Sequence, residues 1–207
     1  MELGRRDLLY KCIALGVVKL GVGSSPASAV EAWLRAERMA HRATPIDQLG
    51  PFYKKGAPNT TVLRSAGDPG LALAVAGAVY NTRGEELPGA KIEIWQTNHL
   101  GHYDLSGYRY RATLLAGAKG VYDFQSVIPG HYPARVCQHI HFLVSAPGHK
   151  PLVTQMYFAS DPVFKGDPLK NPNHDCPSLE LVRPILLTDQ PETMSARATF
   201  ELVMETL

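Results

Sequence analysis

No apolar run in the 207 residues reaches the roughly 20 that a membrane-spanning helix needs. Neither charge is in excess, since 21 basic and 19 acidic residues leave a formal +2. A nucleic-acid binder usually shows a basic stripe or surplus, so that class is excluded. Internal repeats and low-complexity tracts are also missing. What remains, at 45% hydrophobic and 19% charged, is the composition of a soluble globular protein, long enough for one domain with a substantial core.

The amino terminus carries an address. Gly4-Arg5-Arg6-Asp7-Leu8-Leu9-Tyr10-Lys11 is a twin-arginine pattern, followed by an apolar run from Cys12 to Val22 and by Ala27-Ser28-Ala29. A charged start, a short apolar centre and an A-x-A site describe an export signal. The expected division is residues 1–29 as signal, 30–60 as a short helix or arm, and 61–207 as a β-sandwich. The expected location is the periplasm or outside the cell, with no membrane attachment once the signal is removed. Residues 1–29 hold four of the basic and two of the acidic residues, so the remainder balances at zero. Cys12 leaves with the signal. Cys137 and Cys176 remain, either as a disulfide, as two free buried thiols, or with Cys137 near a metal; spacing does not choose among these.

From residue 71 onward the pattern is one of strands and turns. Strands are expected at 71–80, 91–96, 109–115, 120–127, 138–146, 152–159, 181–187 and 196–204. Gly and Pro turn signals separate them, and a long Asp/Pro/Asn-rich loop spans 160–180. The fold class expected is all-β, an antiparallel β-sandwich with a short N-terminal helix or arm and long loops.

One of these strands holds the chemistry. In His139-Ile140-His141-Phe142 the alternation of an extended chain puts both imidazoles on one face and Ile140 on the other. Alone, such a pair also fits two ordinary histidines on a half-exposed strand. Tyr132 just upstream and Tyr103 further back add two phenols. Phenolate is a hard anionic oxygen donor that suits a hard, highly charged ion better than Cu(I) or a structural zinc. A tyrosine with an ordinary pKa of about 10 is readily ionised beside such a cation. Two Tyr and two His therefore suggest ferric iron, Fe(3+), with a position left for water or substrate.

Several stretches together resemble the intradiol ring-cleavage dioxygenases, the catechol and protocatechuate 3,4-dioxygenase family. They are Gly50-Pro51-Phe52-Tyr53, the run from Ile94 to Tyr103, Gly120-Val121-Tyr122-Asp123-Phe124, Ile128-Pro129-Gly130-His131-Tyr132-Pro133, His139-Ile140-His141-Phe142 and Thr154-Gln155-Met156-Tyr157-Phe158. They lie in family order across residues 50–158. The resemblance implies Tyr103 and His139 as equatorial iron ligands, and Tyr132 and His141 as axial ones. It implies that Tyr132 is displaced by the substrate and helps take up its proton. Arg135 and Gln155 are implied beside the iron, Arg135 to stabilise charge developing on the substrate. The implied partners are a small aromatic 1,2-diol and O2, and the product a cis,cis-muconate-type diacid. A homo-oligomer is left open.

Two departures bear on substrate and on Arg135. His139 follows Tyr132 by only seven positions, a shorter connection than protocatechuate enzymes are expected to have, and because that loop shapes the pocket the ring substituents stay open. The lack of the long helical N-terminal domain of the catechol and hydroxyquinol branches is what places the expected match nearer the protocatechuate branch, as one exported chain. Arg135 precedes His139 by four residues where the family has three, and on a strand one residue reverses the face. Either a bulge restores the direction or another residue does this work. Tyr53, Trp95 and His131 are candidates to line the pocket. A rival from another class is a non-catalytic module, because residues 75–94 also resemble carboxypeptidase-regulatory-like and transthyretin-like β-sandwiches. A third reading is a zinc or copper enzyme that uses the histidines alone.

Overall fold

Two five-stranded sheets face each other in the computed structural model, which describes residues 42–188 and 195–207. The expected signal, residues 1–29, and residues 30–41 of the expected helix or arm lie outside the described residues; residues 42–60 of that segment carry no helix. The strands are β1 (Ala72–Asn81), β2 (Lys91–Trp95), β3 (Arg111–Leu115), β4 (Val121–Val127), β5 (His139–Ser145), β6 (Leu152–Phe158), β7 (Val182–Arg183), β8 (Leu186–Leu187), β9 (Ser195–Thr199) and β10 (Leu202–Met204). Three single turns of 3-10 helix, at Ala118–Gly120, Pro162–Phe164 and Leu179–Leu181, are the helical content of the described residues.

One sheet runs β10-β1-β9-β8, with β4 also paired to β1; the other runs β3-β2-β5-β6-β7. The all-β sandwich expected from the sequence is therefore present, but it is not purely antiparallel. β1 pairs parallel with both β9 and β10, and β6 pairs parallel with β7. The expected strand at 196–204 is one path beside β1, since Ala72 faces Ser195 and Val79 faces Leu202 in the same register. It is interrupted at Phe200, whose carbonyl lies so close to Gly77 that a Cβ there would collide with it. The expected strand at 181–187 splits into β7 and β8, which belong to different sheets. Pro184, which has no N–H to give a ladder, stands between them.

Apolar side chains alternate along the strands and meet between the sheets. Ile92, Ile94, Ile140, Phe142, Val144 and Met156 come from one sheet; Val75, Val79, Tyr122 and Phe124 come from the other. Phe142 is central, with ring centroids 5.2 Å from Phe200 and 6.2 Å from Phe124. The opposite face of the second sheet carries a row of cross-strand partners, Arg111, Trp95, His141 and Gln155, with His139 opposite Tyr157 one step along. This outer face is not open to water. Residues 44–53 form a strap over it, held by Asp47 N–H to the Val153 carbonyl (2.9 Å), Thr154 Oγ1 to the Pro45 carbonyl (2.7 Å) and Gln155 Nε2 to the Gln48 carbonyl (2.7 Å). Hence His139 to Phe142 are buried on both faces of β5.

The start of β5 is anchored by Asp161. Its buried carboxylate accepts from the Gln138 N–H (2.6 Å), the Val163 N–H (3.0 Å) and His131 Nε2 (2.8 Å). Asp161→Ala strands these donors and is expected to cost about 1–3 kcal/mol in a denaturant titration.

Candidate active site

Three segments bring the four proposed donors together. His139 and His141 come from β5. Tyr103 comes from the loop after β2, and Tyr132 from the segment after β4. The two loops touch because both carry glycine at the crossing. A Cβ on Gly101, which has φ +84°, would run into the His131 carbonyl, and one on Gly130 would run into Gly101 N and the His99 carbonyl. Gly130 N–H donates to the Asn98 carbonyl (2.8 Å), and Thr97 Oγ1 donates to the Gly130 carbonyl (3.0 Å).

The rings converge. Tyr103 Oη lies 3.1 Å from His141 Nε2 and 3.4 Å from His139 Nε2. The imidazole centroids are 4.8 Å apart, and the Tyr132 ring is 5.6 Å from Tyr103 and 5.8 Å from His139. His139 Nδ1 donates to the Cys137 carbonyl (2.6 Å), which leaves the Nε2 lone pair facing Tyr103. Such a backbone partner is the usual means of fixing a ligating histidine. Flanking rings hold the rest. Trp95 stacks on His141 (4.7 Å, 7°), and Phe52 of the strap stacks on Tyr103 (4.2 Å). Arg111 ties the strap to the Tyr103 loop by donating to the Phe52 and Asp104 carbonyls.

The electrostatics favour neutral imidazoles. Burial pushes His139 down to about 4, and burial together with neighbouring His139 takes His141 well below its ordinary value. Burial raises the Tyr103 and Tyr132 hydroxyls, while the nearby Arg135 charge opposes the rise at both. The neutral histidine is the ligating form. A histidine whose folded value lies below the unfolded one adds stability above about 6.5, and that stability is lost as pH falls toward 4. The metal-free protein is accordingly expected to lose about 2 kcal/mol at His139 alone between pH 7 and pH 5, read as a fall in denaturant midpoint.

Among the described residues, no group of three or more His, Cys, Asp or Glu is placed to hold a metal ion. A metal at the two imidazoles therefore depends on the phenols. Donor atoms sharing one ion at about 2.0–2.1 Å lie about 3 Å apart, which the Oη and Nε2 separations match.

The bulged strand expected as one route for Arg135 is absent. Residues 132–138 are not a strand, so side-chain parity does not apply. A tight turn, with Arg135 N–H donating to the Tyr132 carbonyl (3.0 Å), reverses the chain. The guanidinium is held by Tyr157 Oη (2.8 Å), the Asp175 carbonyl (2.8 Å) and Asp47 (3.5 Å). The Gln155 amide is committed to the strap, and its Oε1 lies 3.2 Å from Tyr157 Oη. Of the pocket candidates, Trp95 is in contact with the donors, and Tyr53 packs edge-on to it (5.1 Å) with its hydroxyl on Glu93. His131 is taken up by Asp161. Cys137 and Cys176 are free and buried, and burial raises their thiols to about 12 and about 11. The carbonyl of Cys137 serves His139; its thiol packs in the core.

Asp47, Phe52 and Tyr157 were not singled out by the sequence as site residues. Counting two residues on from Gln155 along β6 reaches Tyr157; nothing local marks Asp47. A groove on the other sheet, lined in part by Arg64, Leu73, Gln125, Ser126 and Arg197, holds no imidazole, phenol or carboxylate.

Two phenols and two neutral imidazoles thus meet under a strap on one face of an all-β sandwich. The Dioxygenase family profile matches residues 49–206, and the chain belongs to the intradiol ring-cleavage dioxygenases. It is 34% identical over 153 residues to catechol 1,2-dioxygenase 2 of Acinetobacter lwoffii, covering 60% of this chain and 54% of that protein. It is 35% identical over 162 residues to a catechol 1,2-dioxygenase of Pseudomonas sp. (strain EST1001), covering 64% and 52%. The chain thus spans about half the length of the curated relatives it matches. Among solved structures, the dioxygenase domain of a dioxygenase carbohydrate-binding protein fusion from Streptomyces sp. SirexAA-E is 31% identical, with a TM-score of 0.67, covering 80% of this chain and 100% of that one. Relatives of the catechol, chlorocatechol and hydroxyquinol type support the family at that level, and a placement nearer the protocatechuate branch draws no support from them.

Proposed function

We propose that the protein is a non-haem Fe(III) intradiol dioxygenase. Its substrate would be a catechol-type aromatic 1,2-diol, cleaved between the two hydroxyl-bearing carbons. Both atoms of O2 would enter the product, a cis,cis-muconate-type diacid. The observation that carries this reading is the meeting of Tyr103 Oη with both Nε2 atoms, beside the Tyr132 ring. Tyr103, Tyr132, His139 and His141 would hold the ion. Ferric iron supplies Lewis-acid withdrawal of electron density from a bound diol, which makes its ring reactive toward O2.

The chain supplies the rest. Phe52, Trp95 and the strap keep water from the donors, which strengthens electrostatic interactions there. Tyr132 Oη, on a ring less buried than Tyr103, would take a proton from an incoming hydroxyl. Arg135 puts a permanent positive charge beside the site, suited to an oxyanion that develops on the diol.

The test is oxygen uptake by the iron-loaded protein with catechol, protocatechuate, hydroxyquinol and pyrogallol, with the product identified. Uptake of one O2 per diol with a muconate-type product supports the reading; no uptake with any of the four overturns it. The panel also tests the protocatechuate-like assignment. The binding-module resemblance reaches only β1, the turn after it and β2, and leaves the convergence of donors without a role.

Export by the twin-arginine route is part of the same proposal, supported by Arg5-Arg6, the apolar run and Ala27-Ser28-Ala29. Arg5→Lys together with Arg6→Lys is expected to leave the protein in the cytoplasm, read by cell fractionation.

A further inference from the structure

Arg135 sits on the short connection between Tyr132 and His139. The turn at Tyr132–Arg135 fixes its backbone, and Val136 N–H donates to Asp175 Oδ2 (2.8 Å). The guanidinium, however, is gripped from elsewhere in the chain. Nη2 donates to Tyr157 Oη and the Asp175 carbonyl, and lies 3.5 Å from Asp47 Oδ1. Tyr157 Oη has one proton to give and three acceptors in reach: Asp47 Oδ2 at 2.7 Å, the Asp175 carbonyl at 2.6 Å and Gln155 Oε1 at 3.2 Å. A carboxylate is its strongest acceptor. The Asp47 side chain is 2% exposed and that of Arg135 12%. The Tyr157 ring lies 5.9 Å from His139, so the network abuts the donors. Only one arm of the fork is engaged: Arg135 Nη1 is buried with no hydrogen-bond partner among the described residues. A buried guanidinium N–H left unpaired is costly unless a ligand completes it.

We propose that Asp47 and Tyr157 are positioning residues that clamp Arg135 from the strap and from β6, leaving Nη1 to meet an oxyanion of the reacting diol. A carboxylate 88 positions upstream holds the arginine through the Tyr157 phenol and through its own approach to Nη2. The inference rests on the proposed dioxygenase reading for its catalytic consequence, and on geometry for the clamp itself.

The experiment has two arms. In the iron-loaded protein with catechol, Asp47→Asn and Tyr157→Phe are each expected to keep iron content and visible absorption. Each is also expected to leave KM within about twofold while kcat falls about tenfold or more, because the interaction is made with charge that develops in the reaction. Adding Asp47→Asn to Arg135→Lys is expected to lower kcat no further than Arg135→Lys alone. Multiplying losses in the double variant, an unchanged kcat in Asp47→Asn, or a raised KM at constant kcat would overturn the clamp.

The second arm needs no activity. Denaturant midpoints of the metal-free single and double variants form a cycle, and the double variant is expected to lose less than the sum of the singles. Additive losses would overturn the clamp. If the wild-type protein bound no iron or left catechol intact, the functional reading would fall while this cycle still judged the contact.

Discussion

His139→Ala is expected to abolish retention of ferric iron and to lower diol cleavage by at least about a thousandfold. Loss of a partner one step removed from a metal costs roughly 10–100-fold, and loss of a ligand costs more. The side chain is buried, its Nε2 faces Tyr103, and its Nδ1 is spent on the Cys137 carbonyl. No other described His, Cys, Asp or Glu stands ready to replace it. The same substitution removes an imidazole whose charging burial opposes, so the metal-free variant should lose part of the acid sensitivity expected between pH 7 and pH 5. Iron content, steady-state rate and denaturant midpoints at the two pH values read these effects. Full iron content in the variant would remove His139 from the donor set.

Tyr103→Phe separates the phenol-dependent site from one built on histidines alone. Phenylalanine keeps the ring that stacks on Phe52 at 4.2 Å, so volume and packing are preserved. Only the hydroxyl that joins the two Nε2 atoms is lost. A phenolate ligand gives a charge-transfer absorption in the visible. The variant is expected to lose much of that absorption, to bind ferric iron more weakly, and to turn over at least about a hundredfold more slowly. Tyr132→Phe should alter the colour as well. A zinc or copper enzyme using histidines alone would show metal binding unchanged in both. The readout is ferric iron bound per chain, with the visible spectrum, in each variant.

Much of this site could be read before any coordinates. Same-face projection of His139 and His141 follows from two-residue periodicity, which holds because β5 is extended there. The same argument failed at Arg135, because residues 132–138 turn and side-chain parity is defined only on extended backbone. The strand at 181–187 broke at Pro184 into two sheets. The parallel pairing of β9 and β10 with β1 was not legible either. Local alternation records which face is buried, and which neighbour lies alongside depends on how the whole chain closes. Asp47 was invisible for a related reason. A single carboxylate in a loop acquires meaning only once the strap brings it to Tyr157 and Arg135. The glycines at 101 and 130 were visible in the matching stretches, but the contact that requires them was not.

The central claim is that two phenols and two imidazoles bind one oxidised iron. It is tested most directly by titrating metal-free protein with ferric iron and following the visible spectrum. One equivalent per chain with a burgundy phenolate-to-iron band is the expected result. A solution that stays colourless with iron bound, or binds no iron at all, would contradict it.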